Sequence, residues 1–306
     1  MSRIALKHIR VLSDGRPGHE NQSAGLAEAL RRRTGATVEV VRFPTGAGFW
    51  QKRALACAPS DALDGSSPQL VIGSGHGTHW PLMMAARKFG AKSVVIMKPS
   101  LATWCFDLCL IPRHDLAKPV DHGRVVTTRG ALNRIAEEPP VKTQTGVILV
   151  GGPSKHHGWD GAPLPPAIHE IVQARPELHW TLGDSRRTPE GFLDRIDEPG
   201  LTEVPHQETQ PGWLPAQLGA AREVWVTEDS VSMIFEAVTA GARVGVLPMP
   251  VKNPKARTIK AVNDLLADGY VRTLADWRKS PNAWGEVPAL HETARCADVV
   301  LRKFFS

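Results

Sequence analysis

EVWVTEDSVSMIFEAVTAGARVGVL, residues 223–247, is the stretch whose reading decides the fold. Glu223–Thr227 is an apolar run of strand length, and Val231–Thr239 carries helical spacing. Gly241 ends that helix, and Ala242–Leu247 is a second apolar run. Strand, helix and strand in succession imply two parallel strands joined by a helical crossover. The first strand gives way to the polar residues Glu228, Asp229, Ser230 and Ser232, at a helix N-terminus where an anion such as phosphate is favoured. Glu236 follows less than two helical turns after Ser230, placed to accept hydrogen bonds from a ribose diol. The plainer alternative is an acidic N-cap at Asp229 and a solvated helix residue at Glu236.

The same alternation runs outward in both directions. Upstream, His8–Leu12, Thr37–Phe43, Leu70–Ile72, Ser93–Met97, Leu108–Ile111 and Val125–Thr128 read as strands, with helices over Gln22–Arg33 and Pro81–Phe89. After Glu137 the chain reads EEPPVKTQT, charged and without periodicity, the best linker at 137–145. The pattern then restarts with strands at Val147–Val150 and Leu178–Leu182, and helices at Ala167–Ala174, Ile259–Asp268 and Leu290–Phe304. Because domains run to about 100–200 residues, 306 residues suit two α/β units, 1–136 and 146–306. The expected architecture is two doubly wound, Rossmann-like domains facing across a cleft, with the last helix able to pack back on the first.

Residues 1–136 carry 19 basic and 9 acidic side chains, a net +10; residues 137–306 carry 18 and 22, a net −4. A basic front and an acidic rear suggest different partners for each. No stretch reaches the roughly 18 apolar residues of a membrane span, and the first residues lack a secretory signal. The four cysteines include no C-x-x-C pair, and Cys105 and Cys109 read as buried thiols of a reducing compartment. These features point to a cytoplasmic protein, with the inner membrane face as a further location. The nine Trp fall mostly in stretches read as loops and do not interleave with basic residues, so core and cleft packing is expected and nucleic acid is not.

Three further constellations carry chemistry. In Ser13-Asp14-Gly15-Arg16-Pro17-Gly18-His19-Glu20-Asn21-Gln22, the glycines allow close backbone approach, and His19 or Glu20 could act as a general base on a hydroxyl; Glu20 and Asn21 could equally cap the helix. Gly73-Ser74-Gly75-His76-Gly77-Thr78-His79 is no dinucleotide fingerprint and offers Gly75 and His76 as cleft lining. His76 and His79 are spaced as a metal pair, but a third ligand is not evident. Gly151-Gly152-Pro153-Ser154-Lys155-His156-His157 ends a strand with backbone amides, a hydroxyl and a lysine suited to a diphosphate. Lys252 and Asn253 complete the ring. There is neither a D-x-D nor a phosphate loop of the G-x-x-x-x-G-K-[ST] type.

At SDGRPGHENQ and VTEDSVSMIFEAVTAG the sequence resembles the mitochondrial-fission Elm-type family, along nearly the whole chain. The resemblance implies a GT-B glycosyltransferase fold. More distantly, the rear loop and helix resemble the N-acetylglucosaminyltransferase of the peptidoglycan lipid precursor. That likeness implies a nucleotide-sugar site at Ser230, Ser232 and Glu236, and a base at Gly18-His19; Arg16-Pro17 stand where that family has clustered glycines. The expectation is an inverting, metal-independent transferase without cofactor. It would use a nucleotide diphosphate sugar held by Gly152, Ser154, Lys155, Asp229, Ser230, Ser232, Glu236, Lys252 and Asn253. His19 or Glu20 would be the base, with Asp14, Gly15, Arg16, Gly18, Asn21, Gly75 and His76 on the acceptor side. The basic front half favours an anionic membrane-borne glycolipid, such as a lipopolysaccharide core, as acceptor. Plant relatives act as adaptors for membrane fission, which implies a non-catalytic alternative. A nucleotide-sugar 2-epimerase is the other.

Overall fold

The structure, a computed structural model, describes residues 5–59, 66–137, 141–285 and 290–305. Part of the expected linker, residues 138–140, lies outside them. In chain order the first elements are β1 (His8–Ser13), α1 (Pro17–Thr34), β2 (Thr37–Arg42), α2 (Phe49–Ala56), β3 (Leu70–Ser74), α3 (His79–Phe89), β4 (Lys92–Ile96), β5 (Leu108–Pro112), β6 (Asp121–His122) and β7 (Val125–Thr128). Then follow β8 (Thr145–Leu149), α4 (Leu164–Gln173), β9 (His179–Gly183), β10 (Leu201–Val204), α5 (Trp213–Ala220), β11 (Glu223–Thr227) and α6 (Val231–Thr239). The chain closes with β12 (Arg243–Leu247), α7 (Arg257–Ala267), β13 (Val271–Thr273), α8 (Leu274–Lys279) and α9 (Glu292–Phe304). Two compact units result: residues 1–134 with 291–306, and residues 135–290. The closing helix α9 therefore belongs to the first unit, where it packs on α1.

The first unit holds a seven-stranded sheet in the order β2-β1-β3-β4-β5-β7-β6, parallel except for the short β6–β7 pair. Alternate side chains of one strand enter opposite cores, as a pleated strand requires. Ile9, Val11, Leu70, Ile72, Val94 and Ile96 pack under α1 and α9, while Leu12, Val71 and Val95 pack against α2 and α3. The second unit holds a six-stranded parallel sheet, β10-β9-β8-β11-β12-β13. Gly146 stands beside Trp180 and Gly245 beside Trp225 in the strand register, and a Cβ on either glycine would run into the facing indole.

Helix α1 begins at Pro17, five residues earlier than the apolar period suggests. Proline at the first helical position loses no hydrogen bond and presets φ, so Gly18, His19, Glu20 and Asn21 form a helical first turn rather than a loop. The tryptophans also depart from expectation: six of the nine lie in α-helices or β-strands. Trp180, Trp225 and Trp277 are core, but Trp50, Trp80 and Trp104 are exposed. Cys109 is buried, whereas Cys105 is half-buried.

Arg10 is a charge inside the first unit's core, with 1% exposure. Its Nε donates to Glu39 at 2.7 Å, and Nη1 donates to the carbonyls of Ala56 and Ala58 at 2.8 Å each. A guanidinium on β1 thereby satisfies carbonyls at the end of α2 that no helical amide can reach. Arg10→Ala leaves Glu39 and two carbonyls without their partner and should cost about 3–5 kcal/mol in urea unfolding. Arg10→Lys should recover only part of this, since one ammonium cannot span all three acceptors. A loss below about 1 kcal/mol for the alanine variant would remove Arg10 from this role.

Candidate functional site

In each unit the strand order reverses once beside the first strand. β1 leads to β2 on one side and β3 lies on the other; β8 leads to β9 on one side and β11 lies on the other. Loops leaving the carboxyl ends of such strand pairs run in opposite directions and leave a crevice between them, the usual ligand position in open α/β sheets. The candidate residues gather at these two points.

At the front point, the Nδ1 of His19 lies 2.9 Å and 3.1 Å from the two carboxylate oxygens of Asp14. Asp14 thereby fixes the ring so that Nε2 is the nitrogen turned to other chemistry. Gly75, with φ +83°, passes directly over this pair, and a Cβ there would run into the His19 ring. Gly77 sits against Asp14 in the same turn. Arg16 is mostly exposed with its Nε 4.0 Å from Asp14; Gly15 and Gly18 beside it in the chain are exposed, as is His76 in the Gly75 turn.

Glu20 belongs to a different environment. Its Oε1 accepts from Ser13 at 2.5 Å and from Arg42 at 2.7 Å. The Arg42 hydrogen bond, outweighing burial, holds its carboxyl below the usual carboxylate range. Glu20 and Asn21 line a cavity of about 400 Å³ together with Arg42 and Arg134. The structure thus gathers Asp14, His19 and Gly75, and sets Glu20 and Asn21 in a separate cavity.

Beneath His19 lies His79, 1% exposed. Its Nδ1 accepts from the Ser100 amide at 3.3 Å and lies 2.9 Å from the Ser100 hydroxyl, so the proton is on Nε2, which has no partner. Burial first, then His76 and His19, push its pKa down to about 4. Among the described residues, no group of three or more His, Cys, Asp and Glu is arranged to hold a metal ion.

At the rear point the double-glycine turn is already engaged. The Gly151 amide donates to Thr227 Oγ1 at 2.8 Å and the Gly152 amide to Asp229 Oδ2 at 2.9 Å. These two amides therefore do not face a ligand. Asp229 does not cap α6 either: Ser230 is the N-cap and makes no side-chain capping bond. What faces the start of α6 is Arg187, a residue that the sequence pattern does not reveal. Its guanidinium donates to the Gly152 carbonyl at 2.6 Å and to Ser230 Oγ at 2.9 Å, and pairs with Asp229 at 2.8 Å. Uncapped amides and a part-exposed guanidinium make this helix start attractive to anions.

The remaining rear candidates cluster on an adjoining loop. Ser154 Oγ accepts from the His156 and His157 amides, so its lone pairs serve the turn. A backbone bridge between His157 and Val251 brings Lys252 and Asn253 beside it, with Lys252 Nζ 3.4 Å from the Ser154 carbonyl. Lys155 and Ser232 are exposed, and Glu236 is half-buried one turn further along α6. His157 is buried, its Nε2 has no partner, and desolvation lowers its pKa beside Asp229 and Arg187. A second pair, His206 Nδ1 on Asp184 at 3.0 Å, stands after β9 and was equally unmarked in the sequence.

The model of the family Mitochondrial fission ELM1 matches residues 17–304. The chain belongs to this family. Among curated proteins, none matches the sequence. Its structure is similar to that of the glycotransferase of kitacinnamycin, with 18% identity, a TM-score of 0.58 and coverage of 97% of this chain and 99% of that one. It is also similar to Acinetobacter baumannii MurG, with 14% identity, a TM-score of 0.54 and coverage of 97% and 99%. The Neisseria meningitidis UDP-GlcNAc 2-epimerase bound to UDP-GlcNAc is a third, with 13% identity, a TM-score of 0.54 and coverage of 97% and 98%. Topology and structural neighbours agree on one architecture: the fold is GT-B, built from two Rossmann-like units.

Protonating His79 requires work only in the folded chain, where its pKa is about 4 against an ordinary 6.5. Its contribution to stability is thus complete above pH 6.5 and falls away as the pH drops toward about 4, by up to ~1.4 kcal/mol per pH unit. His79→Gln, whose amide oxygen can take the Ser100 N–H, should flatten that slope in urea titrations. Parallel slopes for the two proteins would show that His79 is not the titrating group.

Proposed function

We propose that this chain is a glycosyltransferase that moves a sugar from a nucleoside diphosphate donor to a hydroxyl of an anionic glycolipid, with inversion and without a metal. The observation that carries the reading is the Asp14–His19 pair, held under Gly75 at the front switch point. A histidine whose Nδ1 is fixed by a carboxylate presents Nε2 as a general base. Nε2 would take the proton of the acceptor hydroxyl while the acceptor oxygen bonds to the anomeric carbon. The bond from that carbon to the diphosphate oxygen breaks, and its electron pair leaves with the diphosphate. Attack opposite the leaving group inverts the anomeric centre.

In this reading the rear unit holds the donor. The first amides of α6, Ser232 and Arg187 face the diphosphate and stabilise its developing charge. Glu236 takes the ribose hydroxyls, and Lys155, Lys252 and Asn253 border the site. Glu20, held as a carboxylate by Arg42 and Ser13, already has both partners on its Oε1 and orders the first turn of α1. Of the similar structures one is described as a glycotransferase and another as an epimerase bound to UDP-GlcNAc, which supports a nucleotide sugar as the donor. Release or epimerisation of the sugar without any acceptor would favour the epimerase.

Two measurements test the assignments. His19→Ala should lower turnover by roughly 100-fold or more with UDP affinity unchanged, and Glu20→Ala should do less. The reverse order would transfer the base to Glu20. In calorimetry with UDP, Glu236→Ala should bind roughly 10- to 150-fold more weakly, the loss of about 1.5–3 kcal/mol for charge-assisted bonds. With 2′-deoxy-UDP, which keeps only the 3′-hydroxyl for Glu236, the gap between the variant and wild type should narrow. Arg187→Lys, which keeps the charge that Asp229 needs, should also weaken UDP by losing the guanidinium fork. Wild-type affinity in both folded variants would place the donor elsewhere.

A further inference from the structure

We infer that the outer face of α2 and α3 is a docking surface for an anionic lipid bilayer. This rests on the transferase reading for its purpose, delivery of a lipid-borne acceptor, but not for its existence.

Helix α2 buries one residue fully, Ala56, and turns its aromatic start outward. Phe49 is 45% exposed and Trp50 70%. The Phe49 ring lies 5.1 Å from that of Trp50 and 6.4 Å from that of Trp80 on α3, which is 49% exposed. Helix α2 packs on α3, so these three rings form one cluster across two helices. Along α3, Met83 and Arg87 line a shallow cavity with Trp104, itself 72% exposed. Large apolar rings held out of the core in a group cost solvation unless another phase covers them.

The charge around the rings is mostly positive, with Asp107 in the Trp104 cavity and Asp14 at the Gly77 turn as acidic neighbours. Lys52, Arg53, Arg87, Lys88, Lys92 and Lys98 occupy residues 49–59 and 66–106, and no Asp or Glu does. Residues 60–65, with Asp61 and Asp64, lie outside the described residues. Arg53 stacks over Trp50 at 5.5 Å and Lys52 reaches over Phe43 at 5.8 Å. Exposed indole rings with cations at their edge match the headgroup zone, where Trp settles at the interface and Lys or Arg meets lipid phosphate. A second copy is a poor occupant, since a two-fold contact would set this cationic face against itself.

The surface borders the front site. Trp80 follows the Gly75–Thr78 turn, and a Cβ on Gly77 would lie 3.5 Å from Lys52 Nζ and 3.0 Å from the Asp14 Cβ. A headgroup resting on α2 is therefore beside the Asp14–His19 pair. The run Arg31-Arg32-Arg33 is less suited, because Arg33 is held by Asp298 at 2.6 Å.

The test is co-sedimentation of the full chain with vesicles of phosphatidylcholine alone or with added phosphatidylglycerol, at low and high salt. Wild type should sediment with the phosphatidylglycerol vesicles and be released by salt. Phe49→Ser/Trp50→Ser should lose at least about tenfold in partitioning, and Lys52→Glu/Arg53→Glu should lose the preference for phosphatidylglycerol. Arg31→Ala/Arg32→Ala should bind as wild type. Unchanged binding by the aromatic variant, with folding checked by circular dichroism, overturns the proposal. So does a wild type that ignores vesicles but dimerises through Phe49 and Trp50 in sedimentation velocity. UDP calorimetry on the same samples keeps the two readings apart: vesicle binding without UDP binding sinks the transferase and leaves the surface standing.

Discussion

The reversal of strand order beside β1 and beside β8 is the constraint on which the candidate chemistry depends. Parallel strands need crossover connections, and a sheet that grows first to one side and then to the other must part its loops at the first strand. Ser13-Asp14 leaves β1 there and meets the Gly75 turn leaving β3. Gly151-Gly152 leaves β8 and meets Asp229-Ser230 leaving β11. The crevice is a property of topology, and the side chains in it are what the sequence has added.

Those additions are tied down by ionic contacts that reach across the sheet. Asp229 joins the β8 turn to the start of α6 by accepting the Gly152 amide and pairing with Arg187. Arg10 does the same on the front sheet, joining β1, β2 and the end of α2. In both cases a buried charge meets several donors or acceptors at once, which offsets the cost of removing it from water. His19 is held in the same way by Asp14, and its neighbour Gly75 leaves room for the ring only because it lacks a Cβ.

The buried strands were legible because their apolar runs are short, dense and separated by turn residues. β11 and α6 have the boundaries read from the sequence alone. What escaped has physical reasons. FWQKRALA of α2 shows no apolar stripe, because Arg10 and α3 hold it rather than a hydrophobic face. WLPAQLGA of α5 carries an internal proline, and β10 and β13 are short strands at the sheet edges. At the site, His19 and Asp14 were visible as a polar loop, but their pairing, and the separation of Glu20 from it, follow from the early start of α1. Arg187 stands 43 residues from Ser230, and no local pattern marks a contact of that span.

The engagement of the glycine amides changes how an anion can be held in the rear unit. A double-glycine turn after a strand reads as a phosphate cradle, yet here its two amides go to Thr227 and Asp229, 76 and 77 residues away. Had those amides been the cradle, Asp229 would be a liability, a carboxylate beside a diphosphate. Paired with Arg187 it becomes the opposite: a fixed counter-charge that holds a guanidinium at the start of α6, where helix amides already favour anions. The attraction at this point therefore comes from the helix and from a cation whose position a buried acid sets. Such a cation need not reorganise when negative charge develops on a leaving group, which is the property that electrostatic catalysis requires.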